Sequence, residues 1–250
     1  MRQIHIFLVL SVPIVTYYIL SYWGDPLGSK TVVAFVLMSV MSWLALREMR
    51  DYYRIPNGFA IDYDEDLDRR GLGLCALTTL AIFLVSIVFS GLLGGQQIAG
   101  KSGLELLVFL AMNAVLYVPQ ALRLGIFESA TSVFNQLLNE AIWQTFIVSA
   151  GEELLKLSSI VGITFRFQKS ASPFLRSHYR ELGASIPITV WAFLHAMIAY
   201  SNVYMTLAAF IAGCLLFWLL LRVKSIVGVI LSHSGYNTLI QAIKILIGSA

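Results

Sequence analysis

Apolar residues gather in long blocks near 4–23, 31–46, 72–93, 104–122, 142–165, 184–200, 203–221 and 225–247. A helix that crosses the hydrocarbon core of a bilayer needs roughly 20 mostly apolar residues. The pattern therefore predicts about eight helices, the 31–46 block being short for a full span. No stretch alternates apolar and polar residues over the length of a strand, and neither an internal repeat nor a low-complexity tract interrupts the series. Helices satisfy their own backbone groups within lipid. The expected fold class is all-α, a polytopic transmembrane helical bundle. The first block contains Pro13, is long for a signal-peptide core and is followed by no small-x-small cleavage site, so it reads as a retained helix.

Three polar segments separate the blocks. Arg47 to Gly71 holds five arginines and the acidic run Asp62, Asp64, Glu65, Asp66, Asp68. A calcium loop would need glycine where Leu67 stands and a closing glutamate that is missing, so the run reads as a solvated loop. Arg166 to Gly183 carries Arg166, Lys169, Arg176 and Arg180, and a short turn carries Arg222 and Lys224. The positive-inside rule makes these two segments cytoplasmic. Strict alternation through the blocks at 72, 104 and 142 then puts the Arg47–Gly71 loop on the opposite side. Either an N-terminal block does not span, or the amphipathic stretch from Gly125 to Ala141 re-enters the membrane. In organisation, residues 1–141 supply N-terminal helices and loops and residues 142–250 a second group of helices, within one membrane domain.

Composition sharpens this. Of 250 residues, 58% are hydrophobic and 12% charged, against roughly 25% charged in a soluble domain; the mean hydropathy is +0.78. The net charge of +3 is small, and the basic residues flank apolar blocks rather than forming a nucleic-acid face. Cys75 and Cys214 lie inside apolar blocks without a C-x-x-C pair and read as packing residues. The expected location is a multi-pass integral membrane protein, in the cytoplasmic (inner) membrane if the cell is prokaryotic.

Ionisable groups within the bilayer are costly and commonly functional. Nearly all charged residues fall in loops or near block ends. The exceptions are Glu152, Glu153 and Lys156, together with His195 and His233; Asn237 follows His233 by one helical turn. Glu152 precedes Arg166 by 14 residues, His195 follows Gly183 by 12 and His233 follows Lys224 by 9. At about 1.5 Å per residue all three lie roughly 14–21 Å below one basic face. Residues at i and i+4 share a helix face, which pairs Glu152 with Lys156, Trp191 with His195, and His233 with Asn237. Glu153 points about 100° away from Glu152, so the two glutamates face different partners. Taken singly, each feature also reads as structure: an inert buried ion pair at Glu152–Lys156, a helix–helix hydrogen bond at either histidine or at Asn237, close packing at Gly151, Gly228 and Gly235, and packing by Trp191 and Phe193. Three helices bringing polar groups to one depth favour a site.

Peptide hydrolysis needs an activated nucleophile, a stabilised oxyanion and a proton donor to the leaving amine. A glutamate and two histidines can activate water directly, or as ligands and base around zinc or another divalent ion, with Glu152, His195 and His233 as the ligand set. There is no H-E-x-x-H, all six aspartates lie in loops or at block ends, and no G-x-S-x-G surrounds Ser234.

The order Glu-Glu-x-x-Lys (152–156), Trp191-x-x-x-His195 and His233-x-x-x-Asn237 resembles the CPBP family, which includes the CAAX prenyl endopeptidases and bacteriocin-processing or immunity proteins. Its motifs run E-E-x-x-x-R, F-x-x-x-H and H-x-x-x-N. The resemblance covers roughly the last 110 residues. It implies an intramembrane endopeptidase, glutamic-type or metallo-type, in which Glu152 is the water-activating base, His195 and His233 orient water or stabilise the oxyanion, Asn237 assists as an oxyanion donor, and Glu153 supports the site with Lys156 and Trp191. The implied substrate is a membrane-associated or lipid-modified polypeptide. Two positions depart from the pattern: Lys156 comes one residue before the family's arginine, at which this chain has Leu157, and Trp191 replaces phenylalanine. The Glu-Glu-x-x-Lys form is also similar to PrsW-type membrane proteases. Readings from other classes are a non-catalytic membrane binding or immunity protein of the same fold and a small transporter using the buried carboxylates. The lack of paired broken helices related by a repeat speaks against transport.

Overall fold

The computed structural model describes residues 69–93, 143–195 and 203–248, with isolated positions at 36, 39–40, 42–44, 46, 104–105 and 108. The block at 4–23, most of those at 31–46 and 104–122, the acidic run at 62–68 and the stretch 125–141 lie outside the described residues. The structure is all-helical, and no strand occurs among the described residues. Helix α1 (Arg69–Ser86) continues into a π-helical stretch (Ile87–Leu93); α2 is Trp143–Gln168, α3 Pro173–Ser177, α4 Tyr179–His195, α5 Val203–Val223 and α6 Ile226–Gly248.

Helix ends differ from the apolar blocks at the polar segment 166–183. The helix α2 runs on to Gln168, and α4 begins at Tyr179, five residues before its block. Hydropathy marks what lipid tolerates, whereas arginine, glutamate and leucine continue a helix readily. Between them, Ser172 caps α3 with its hydroxyl accepting from the Leu175 amide, and Pro173 occupies the first turn, where no N–H is needed. The α5–α6 turn is two residues long, Lys224 and Ser225. Lys224 takes a left-handed conformation (φ 55°), its amide donates to the Leu220 carbonyl at 2.7 Å, and Ser225 then accepts from the Gly228 amide.

Cross-helix contacts fix direction. Cys75 meets Gly228, Thr79 meets Ser232 and Ser86 meets Tyr236, so α1 and α6 run parallel. On α2, Thr145, Ser149 and Glu153 meet Thr238, Asn237 and His233, so α2 runs antiparallel to α6. The α4 helix packs antiparallel to α2, with Gly183 against Thr164 and Trp191 against Glu152. Arg69, Arg70, Arg166, Arg176, Arg180, Arg222 and Lys224 consequently share one end of the bundle. The chain leaves Leu93 and returns at Trp143 at the other end. Arg69 and Arg70, which open α1 at the end of the Arg47–Gly71 segment, thus sit beside the basic segments, not opposite them as strict alternation through the blocks required.

Two glycines permit the close approach of neighbouring helices. A Cβ on Gly183 would lie 2.8 Å from the Thr164 Cα, and one on Gly213 of α5 would lie 2.8 Å from Ile188 Cγ2. Leu157 and Val161 of α2 join Leu216, Leu219 and Leu220 of α5 and Ile226, Val229 and Ile230 of α6 in one core, which Cys75 and Ile82 of α1 complete. Outward, Leu72, Leu77, Leu80 and Leu84 of α1 and Leu207, Trp218 and Leu221 of α5 are exposed. Arg69–Leu93 and Val203–Val223 are long and apolar enough to cross a membrane, and only 33% of each window is buried within the bundle. Outward faces this apolar call for hydrocarbon, not water, around them.

Candidate active site

Mid-bundle, α2, α4 and α6 converge on a polar cluster. Turn after turn, α2 presents Ser149, Glu152, Glu153 and Lys156; α4 presents Trp191; α6 presents His233 and Asn237. Glu153, Lys156 and His233 are buried, at 4%, 6% and 6% exposure, so each charge depends on a partner within the protein.

The adjacent glutamates divide the work. Glu153 Oε1 accepts from Lys156 Nζ at 2.6 Å and contacts His233 Nδ1 at 2.7 Å. An ammonium so close holds Glu153 as a carboxylate, which can only accept; His233 therefore carries its proton on Nδ1. That leaves Nε2 facing Glu152 Oε2 across 3.8 Å. The gap is beyond a direct hydrogen bond, and a water about 2.8 Å from each atom would span it. Glu152 also accepts from the Trp191 indole N–H at 3.3 Å. The ion pair expected between Glu152 and Lys156 thus forms between Glu153 and Lys156. On a real helix an i,i+3 pair is as near as an i,i+4 pair, and Trp191 draws Glu152 toward α4.

The two positions that depart from the family motifs touch. Lys156 Nζ stands 3.7 Å from the Trp191 ring centroid, while Leu157 is buried in the apolar core. Trp191 also stands perpendicular to the His233 ring in a T-shaped contact, with centroids 6.1 Å apart. Asn237 donates to Ser149 Oγ at 3.1 Å, which places its amide one turn from His233. A cavity of about 20 Å³, lined by Glu153, Lys156, Ile188, Gly213 and Phe217, lies against the ion pair and has room for a single water.

Of the expected residues, the structure brings together Glu152, Glu153, Lys156, Trp191, His233 and Asn237. His195 closes α4, one turn beyond Trp191, and its side chain lies outside the described residues. Ser149 was not anticipated from sequence. Its signal was available: it precedes Glu153 by four residues and so shares that face. The seam on which Thr79 of α1 donates to the Ser232 carbonyl was also missed, because hydroxyls inside apolar blocks look inert.

Among the described residues no three His, Cys, Asp or Glu side chains gather as a metal site. Glu152 Oε2 and His233 Nε2 can supply two ligands, and His195 is the third donor that the sequence offers. The carboxylate held against His233 Nδ1 suits a ligating histidine equally well, since such histidines commonly give their other N–H to a carboxylate.

Buried, oriented carboxylate and imidazole groups from α2 and α6 thus gather beside Trp191 of α4 in the middle of an all-helical bundle. Residues 122–239, which contain the whole polar cluster, match the family model described as type II CAAX prenyl endopeptidase, Rce1-like. The family consists of integral membrane proteins, in keeping with the two apolar helices. No curated protein and no solved structure matches the chain.

Proposed function

We propose that this protein is an intramembrane endopeptidase in which Glu152 activates water. The observation that carries the reading is the 3.8 Å gap between Glu152 Oε2 and His233 Nε2, with Nδ1 fixed by Glu153. A water in that gap donates one hydrogen to Glu152 and the other to Nε2. Glu152 takes the proton as the water oxygen bonds to the scissile carbonyl carbon. The carbonyl oxygen becomes an oxyanion, for which Asn237 and His195 are the donors. Collapse of that intermediate breaks the C–N bond, and Glu152 returns its proton to the departing amine. Exclusion of bulk water strengthens each of these interactions.

The substrate class is a membrane-associated or lipid-modified polypeptide, and the family's name points to a prenylated protein ending in a CAAX box. The basic end is the cytoplasmic one by the positive-inside rule, in a multi-pass bundle of about eight helices whose catalytic part spans residues 142–250. A divalent ion is the second reading, favoured by the carboxylate on His233 Nδ1. Glu152, His195 and His233 would hold it, and it would supply Lewis acidity toward water.

The test uses purified protein in liposomes with a farnesylated CAAX peptide and the same peptide unprenylated. Wild type is expected to cut the farnesylated peptide, and Glu152→Gln to lose at least about 10²-fold in kcat. Unchanged cleavage by Glu152→Gln sinks the assignment of the base. Loss of activity in a chelator, restored by zinc, selects the metal-assisted reading.

A further inference from the structure

The network around Glu152 contains a donor that the hydrolytic scheme does not use. Trp191 touches Glu152, Lys156 and His233. Its indole N–H donates to Glu152 Oε2 at 3.3 Å, its ring face receives Lys156 Nζ at 3.7 Å, and its ring stands perpendicular to that of His233. Lys156 is in turn anchored by Glu153 at 2.6 Å. The oxygen held by the indole is the same Oε2 that faces His233 Nε2. A carboxylate on a glutamate side chain has three rotatable bonds, and a general base is useful only while its oxygen stays within reach of the water. A donor on Oε2 from a rigid ring restricts that freedom, and the ring is itself held from α2 by Lys156, while Gly213 of α5 leaves room for it: a Cβ there would come 3.5 Å from the indole carbons.

Resting on the proposed hydrolysis, we infer that Trp191 is a positioning residue for the base: its indole N–H aims Glu152 Oε2 at the water site, and the Lys156 ammonium seats the ring. The ammonium thereby serves both glutamates, Glu153 through an ion pair and Glu152 through the indole. Phenylalanine at this position would keep the ring face and lose the N–H.

The test replaces Trp191 by β-(3-benzothienyl)alanine through amber suppression, with tryptophan reinserted by the same route as control. The isostere keeps the ring's shape and its face toward Lys156 and removes only the N–H donor. Liposome turnover of the substrate cleaved by wild type is then measured beside thermal unfolding. The expected result is a fall in kcat of about tenfold, the size of one such bond, with KM within about twofold and Tm unchanged. In a Glu152→Gln background the replacement is expected to cause no further loss of residual activity. Unchanged kcat overturns the inference, as does a fall in Tm large enough to explain the loss, which would assign Trp191 to packing. Failure of the hydrolytic reading is separately visible, because Glu152→Gln alone would then retain full activity.

Discussion

Glu152 and Glu153 are chemically identical neighbours, and their surroundings give them different tasks. Glu153 is buried with a lysine and a histidine on one oxygen, whereas Glu152 is partly buried and turned toward Trp191 and His233 Nε2. Lys156→Met leaves the Glu153 charge buried without its strongest partner and is expected to destabilise the protein by about 3–5 kcal/mol, read as a loss of thermal stability in detergent. Adding Glu153→Gln should recover much of that loss, since the unpaired charge disappears with it; an unchanged Tm in Lys156→Met would show that the pair contributes little. The division between the glutamates was visible in the sequence, because adjacent helical residues face about 100° apart. Which glutamate takes the lysine was not, because i,i+3 and i,i+4 spacings are both permitted and the decision is made by the Trp191 indole on another helix.

At the scale of the helices, glycines set the separations that bring the site together. Gly183 rests on Thr164, one helix on another, near the basic end of the α2–α4 pair whose middle carries Glu152 and Trp191. Gly183→Ala must push the two backbones apart and is expected to cost about 1–3 kcal/mol in unfolding experiments, with a fall in activity that accompanies the lost stability, whereas loss of the Trp191 N–H lowers activity at unchanged Tm. Lys224 bears a left-handed backbone that costs an L-residue roughly 1–2 kcal/mol. Lys224→Gly relieves that strain against a backbone-entropy cost of about 0.5–1 kcal/mol. The variant should be neutral or up to about 1 kcal/mol more stable by thermal melting, and a clear destabilisation would contradict the turn geometry. The helices α1, α2, α5 and α6 were legible from apolar blocks to within about three residues at each end. The early start of α4 was not, since Tyr179, Arg180 and Glu181 are polar enough to look like a loop.

At the scale of the described bundle, parallel α1 and α6 place Arg69 and Arg70 with Arg166, Arg176, Arg180, Arg222 and Lys224, so these basic groups gather at one end. The matched depth of Glu152 and His233 below that end follows from their spacing to Arg166 and Lys224, and it is the feature that sequence reading captured best. What spacing along a chain does not contain is rotation between helices. Ser149 under Asn237 and Trp191 over Lys156 depend on how α2, α4 and α6 turn toward one another, which packing decides. The family match over residues 122–239 fits this picture, since it covers the helices that build the site.

The central claim is that Glu152 makes this bundle a protease. Its most direct test compares protein N- and C-termini in membranes from cells carrying wild type or Glu152→Gln at matched expression and equal folding. The account predicts a discrete set of new termini, on membrane-associated or lipid-modified proteins, present with wild type and missing with the variant. Identical termini in the two membranes, in cells that express a prenylated protein cleaved by the wild type in liposomes, would contradict it.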